Sequence, residues 1–485
     1  VMSNLSELIP AGGGQNNTDF VADGGITSGK PVILTAAGKV TQVAAVAGSG
    51  GTPVLFDTTN SSSIATTFDS NAGKVVIGYN VATTSGSAIV GTVSGTSISY
   101  GSPVAFEAAN TDNIAATFDS NSNKVVFAYR DRGNSNYGTA IVGTVSGTSI
   151  SFGTAVVFES ANSNNISSAF DSNANKVVIA YRDQGGTNYG TAIVATVSGT
   201  SISFGTPVVF ETANSWKTST VFDTTANKVV ISYSDVGNSQ YGTAIVGTVS
   251  GTSISFGTAV VFEAAASGGI SSTFDTVAEK VVIGYTDNGN SYYGTAIVGT
   301  VSGTAISFGT AVVFETANPG TLSAVFDTSD GTVNIGYADQ GNTGDGTVIV
   351  GTVSGTAISF GTAAVVSTGN VFYLSSVYDS TNNKVVLAYS DNTISDDGYS
   401  VVFIPGSTNL TATNLLGIAS AAILDTATGT INTWGSRNEV QTSLTIGSDY
   451  YVQSDGTITT ASASPAQLIG EAITATQINI KDYTG

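Results

Sequence analysis

Seven aspartates recur in one context: Asp69, Asp119, Asp171, Asp223, Asp275, Asp327 and Asp379 each follow Phe or Tyr, at an interval of 50 and then intervals of 52 residues. Carboxylates repeated around a ring could form a metal crown or a catalytic one. The residues behind them favour a structural role. In segments such as DSNANK, Asp at the end of a β-rich run accepts hydrogen bonds from the backbone of its own turn. Six copies place a lysine five residues on (Lys74, Lys124, Lys176, Lys228, Lys280, Lys384), where it is expected to balance the charge. A second set, Asp131, Asp183, Asp235, Asp287, Asp339 and Asp391, lies in oxygen-rich loops such as TDNGNSYYG. Calcium is the secondary reading there, but no loop has the D-x-[DN]-x-[DN]-G spacing, so no metal site is assigned.

The chain has no Cys and no His, which removes thiolate nucleophiles, imidazole bases, disulfides and the usual zinc ligands. Sialidase chemistry would need arginines converging from separate repeats. The only arginines are Arg130, Arg132, Arg182 and Arg437, three from two neighbouring copies and one outside the repeats. A glycosidase with two carboxylates stays open, but no pair stands out. No catalytic residue and no cofactor is assigned.

Differences between the copies are more informative. The turns DSNANK and VSGTSIS barely change, whereas the loops leading into each copy vary (ANTDN, ANSNN, ANSWK, AASGG, ANPGT, TGNVFY), as do those after the second β-rich run (RDRGNSNY, SDVGNSQY, ADQGNTGDG). Both loop sets are expected on one face. That face would gather Trp216, Lys217, Arg130, Arg132, Arg182, Phe372 and a tyrosine series, Tyr137, Tyr189, Tyr241, Tyr292 and Tyr293. Aromatic and Asn-rich loops suit stacking on sugar rings or contact with proteins. Trp216, one of two tryptophans, stands where three of its siblings carry Asn or Gly. It is the leading binding candidate.

These loops need a scaffold, and the repeat describes one. Each copy holds four β-rich runs, in the third copy ISSAF, KVVIAY, TAIVATV and SISFGTPVVF. Four strands per repeat of about 50 residues predict a blade of a β-propeller. KVVIAY is apolar on both faces, which places it inside a stack. A strand PVLF, Pro53 to Phe56, precedes the first full copy and is expected to complete the last, closing a seven-bladed ring. The turn aspartates then resemble the Asp boxes of other propellers, which are not catalytic. Composition agrees with an all-β chain: 485 residues, 58 Gly and 10% charged residues. The net charge of −20, with scattered basic residues, excludes a nucleic-acid footprint. No apolar run is long enough to span a membrane, so no membrane insertion is expected. Residues 1–14 lack the pattern of a secretion signal.

The flanking segments do not match the repeat. They carry G-x-P-V-x-L-x-x-x-G-K-V at Gly29 to Val40, G-I-A at Gly417 to Ala419, L-T-I-G-x-x-Y-Y-V-x-x-D-G-T-I at Leu444 to Ile458 and I-G-E-A-I at Ile469 to Ile473. In this order they resemble a small β-domain of virion and tail-fibre proteins of tailed phages, and the repeats are similar to those of marine phage structural proteins. The resemblance implies a discontinuous β-domain (1–50 and 406–485) interrupted by the propeller (51–405). It further implies a virion location, extracellular, as a tail fibre or surface appendage. The β-domain would then contact other virion proteins and itself as a homo-oligomer, and the propeller would meet a host glycan or protein. A bacterial extracellular adhesin or filament subunit is the alternative, and a glycan-cleaving enzyme comes last.

Overall fold

Valine, isoleucine and threonine dominate the runs between Gly- and Asn-rich turns, and these runs are strands: the chain is all-β and antiparallel, with no α-helix among the described residues. The computed structural model describes residues 16–46, 48–185, 188–411, 413–453, 455–460 and 467–481. They divide into two compact units, one of residues 49–404 and one of the segments on either side. The boundaries fall at 48/49 and 404/405 rather than 50/51 and 405/406, because Ser49–Gly50 pairs with Phe403 and Ile404. Residues 1–15, where the first flanking segment was expected to begin, lie outside the described residues.

Within residues 49–404 the strand set recurs seven times. In the third copy the latter part of Val156–Asp171 pairs with Lys176–Asp183, which pairs with Tyr189–Ser198. The run SISFGTPVVF, read above as one strand, is two. Ser201–Phe204 lies on one half of the edge of Tyr189–Ser198, and the start of Val208–Asp223 lies on the other half. The break falls at residues 205–207, where Pro207 has no N–H to donate and Gly205 donates its own to Val194 O at 2.9 Å.

The second strand is buried on both faces because each face meets a different copy. Val177, Ile179 and Tyr181 pack with Val126, Val142 and Phe158 of the second copy. Val178 and Ala180 pack with Val229, Ile231 and Tyr233 of the fourth. Seven such clusters occur, one between each pair of successive copies, and the seventh joins Val386 and Ala388 of the last copy to Val75 and Ile77 of the first. Val54–Asp57, which includes most of the PVLF run, pairs with Asp397–Ile404 and supplies the last copy's missing edge. A Cβ on Gly205 would overlap the carbonyl oxygen of Thr252 in the next copy's turn, so glycine there permits the close approach.

In the other unit, strands from both sides of the repeats share one sheet, in the order Asn17–Val21, Thr428–Asn432, Leu415–Ala419, Pro31–Leu34, Val40–Gln42. A second sheet orders Arg437–Asn438, Gln477–Ile480, Gln467–Thr474, Asp449–Val452 and Ile458–Thr459.

Candidate functional site

At one end of the repeat strands the aspartates act on their own backbone. Asp171 Oδ1 accepts from the amides of Asn173 and Ala174 at 2.9 and 2.8 Å, and the other six copies repeat the pair of bonds. All seven carboxylates are buried. The following lysine is its cross-strand neighbour (Asp171 beside Lys176) but, among the described residues, forms no ion pair with it. The expected charge balance is therefore not a direct contact. In the second set the carboxylates likewise cap turns, as Asp287 does for Gly289 and Asn290. Among the described residues no three acidic side chains converge as a metal group.

The variable loops meet at the opposite end. The loop leading into a copy is bonded to the one after its second strand, as Gln184 N to Asn162 O at 2.8 Å and Asn288 N to Ala266 O at 2.9 Å. Just beyond, the first strand bulges in six copies, between Trp216 and Ser219 in the fourth. The bulges carry one variable dipeptide per copy: Ser62–Ser63, Asp112–Asn113, Asn164–Asn165, Trp216–Lys217, Gly268–Gly269 and Phe372–Tyr373. The unbulged sixth copy has Gly320–Thr321 at the equivalent place. The second residue of each bulged pair is left-handed, with φ from 48° to 54°. Asn and Gly tolerate that conformation, whereas Lys217 (54°) and Tyr373 (50°) are strained there.

Hydroxyls tie neighbouring first strands together. Ser167 meets Thr220 at 2.7 Å, Ser323 meets Ser376 at 2.8 Å, and Thr66 of the first copy meets Ser375 of the seventh at 2.9 Å. The bulges of copies three, four, five and seven, with the equivalent residues of the sixth, surround a cavity of about 530 Å³ lined by Asn165, Lys217, Gly269, Gly320, Thr321, Phe372 and Tyr373, with Gln340 and apolar residues. No carboxylate lines it. It offers amides, one ammonium group and aromatic surface, which suits binding a polyol rather than acid–base chemistry.

The structure separates the candidate residues into groups. Trp216 and Phe372 stay exposed, at 37% and 39%, and stand at the same position three copies apart. The Arg182 guanidinium lies 6.0 Å over the Trp216 ring, and its Nη1 donates to Asn214 Oδ1 at 3.4 Å. Arg130 and Arg132 instead both bond Asp112, and the Arg130 side chain is only 13% exposed. Burial acts to raise the Asp112 pKa, but hydrogen bonds from Arg130, Asn113 and Arg132 outweigh it and hold the carboxyl below its ordinary range. Tyr137, Tyr189, Tyr241 and Tyr293 open the third strands, half-buried beside the loop aspartates; Tyr292 is exposed.

Sequence reasoning missed Tyr373, 50% exposed and on the cavity, although it follows Phe372 as Lys217 follows Trp216. It also missed a buried series in which Tyr129, Tyr181, Tyr233, Tyr285 and Tyr337 donate to Glu107, Glu159, Glu211, Glu263 and Glu315 of the preceding copy at 2.9 to 3.2 Å. Burial, then in all five the nearby glutamate, pushes these phenols above their ordinary pKa. The constant spacing of 22 residues was the available signal.

No family model matches the chain, and no curated protein matches its sequence. Among solved structures it is similar to the BP39L lectin from Burkholderia pseudomallei, at 11% identity and a TM-score of 0.56, over 73% of this chain and 98% of that one. A weaker likeness, at 11% identity over 64% of this chain and 97% of the other, is to the SapL1 lectin in complex with alpha methyl fucoside. Its TM-score of 0.38 is too low to carry an argument.

Proposed function

We propose that this chain is a carbohydrate-binding, seven-bladed β-propeller without enzymatic activity, held by its discontinuous β-domain on the surface of a tailed-phage particle. The observation that carries the binding reading is the set of variable dipeptides around one cavity, with Trp216, Phe372 and Tyr373 exposed on an otherwise nearly invariant framework. Closure and packing constrain the turns, and the bulges change sequence at little folding cost. The seven inter-copy clusters, the last joining copy seven to copy one, support the ring, as does the likeness in fold to a lectin. The lack of a carboxylate on the cavity supports a binder over a glycosidase.

The phage assignment rests on the flanking motifs. That the similar lectin comes from a bacterium favours a second reading, a bacterial extracellular adhesin. Mass spectrometry of purified virions separates the two. For binding, the test is a glycan array with the parent chain and the Trp216→Ala, Arg182→Ala double variant. The variant should bind at least about tenfold more weakly at an unchanged melting temperature, since an aromatic anchor is worth about 2 kcal/mol. Unchanged binding, with loss on altering Asn173 or Ser198, would place the site at the turn end and defeat the reading.

A further inference from the structure

The repeat unit carries ten basic side chains, and their distribution is uneven. Six are the lysines that open second strands, at the turn end. Only Arg130, Arg132, Arg182 and Lys217 stand at the variable-loop end. The first two are both paired with Asp112, which balances one of their two charges. Among the described residues, Arg182 and Lys217 have no anionic partner within 4.0 Å. The six turn-end lysines are likewise unpaired among the described residues, so what sets these two apart is the side chain they share.

Both adjoin the same exposed indole. Arg182 lies over Trp216 from the third copy, and Lys217 follows Trp216 in the fourth and lines the cavity. The Arg182 Nε is buried without a hydrogen-bond partner. Burial and then the charge of Arg130 push its pKa down, so its surroundings disfavour the lone cation. Lys217 is held in a strained left-handed bulge that Asn or Gly fills in three other copies. An anion would satisfy both cations, while Trp216 offers apolar surface to ring C–H groups.

We propose that Trp216, Arg182 and Lys217, at the seam of the third and fourth copies, form a subsite for an anionic sugar, its charge carried by a carboxylate or a sulfate. This rests on the carbohydrate-binding reading and specifies its ligand class.

The test is calorimetric binding of the full chain to short oligogalacturonates, their methyl esters and sulfated galactan oligosaccharides, alongside an array of neutral glycans. The acid form should bind at least about tenfold more tightly than its ester and weaken as salt rises. Arg182→Gln with Lys217→Gln should abolish that preference at an unchanged melting temperature, and Arg132→Gln should preserve it. Binding of the sulfated probe alone, with the same dependence on the two cations, also supports the subsite and assigns the charge to sulfate. Acid and ester bound equally, the preference surviving in the double variant, or neutral glycans alone being bound would overturn it and leave the carbohydrate-binding reading standing. No binding to any glycan would overturn both.

Discussion

The hydroxyl of Tyr233, wholly buried in the second strand of the fourth copy, donates to Glu211 Oε2 at 3.0 Å. Glu211 stands on the outer edge of the third copy, opposite Gly190, and its Oε1 accepts from Ala213 N at 2.9 Å. The bond therefore crosses a seam between copies. Tyr233→Phe keeps the ring 5.1–5.5 Å class of contact seen along the series, here 5.3 Å from Phe210, and removes only the donor to a charged acceptor. Such a bond is worth about 1.5–3 kcal/mol. Glu211→Gln keeps the shape and leaves a neutral bond, about half as strong. A double-mutant cycle should give a coupling of about 1 kcal/mol or more.

The seventh copy supplies an internal control. Ser367 stands 22 residues before Tyr389, where the series has Glu, so Tyr389→Phe should cost under about 1 kcal/mol. Guanidinium unfolding of the five chains, with midpoints and slopes compared, measures these quantities. A coupling within about 0.3 kcal/mol of zero, or an equal cost at Tyr389, would refute the idea that the tyrosine–glutamate bonds hold the seams together.

Three further outcomes follow from the geometry. Gly205→Ala should cost about 2–3 kcal/mol by forcing the Thr252 carbonyl away, against about 1 kcal/mol for Gly199→Ala, whose φ of +60° is strained but whose surroundings are open; equal losses in urea unfolding would count against the seam contact. Asp112 has a depressed folded pKa, so it contributes stability above its unfolded pKa and loses it as pH falls through the folded value. Asp112→Asn should thus destabilise by about 2 kcal/mol at neutral pH, with the gap closing below about pH 4, and a gap independent of pH would contradict this. Because the turn carboxylates already accept backbone amides, EDTA should leave the melting temperature unchanged, and a fall of more than about 10 °C would reveal structural calcium.

Much of the scaffold was legible because it is local and repeated. The Phe-Asp anchor and its spacing located every copy, Asp followed by Ser, Thr or Asn announced the turns, and two apolar faces on KVVIAY announced a strand packed on both sides. The split of SISFGTPVVF was harder to see. Its apolar pattern suits one strand, and only pairing with Tyr189–Ser198 shows that Gly205 and Pro207 break it in two. Of the candidate site, Trp216 and Phe372 were visible as departures from the repeat. Tyr373 was passed over although it departs in the same way.

The sequence by itself determined the period, the strands, the capped turns and which positions vary, since each depends on residues within one turn or one strand of each other. Tertiary structure alone decided what the variable residues do. Arg130, Arg132 and Arg182 look alike in the chain. Asp112 reaches the first two across neighbouring strands, and only packing of the third copy against the fourth lays Arg182 over Trp216. Whether a charge is neutralised or left free depends on which side chains the fold brings within a few ångströms, and those partners come from different strands and different copies.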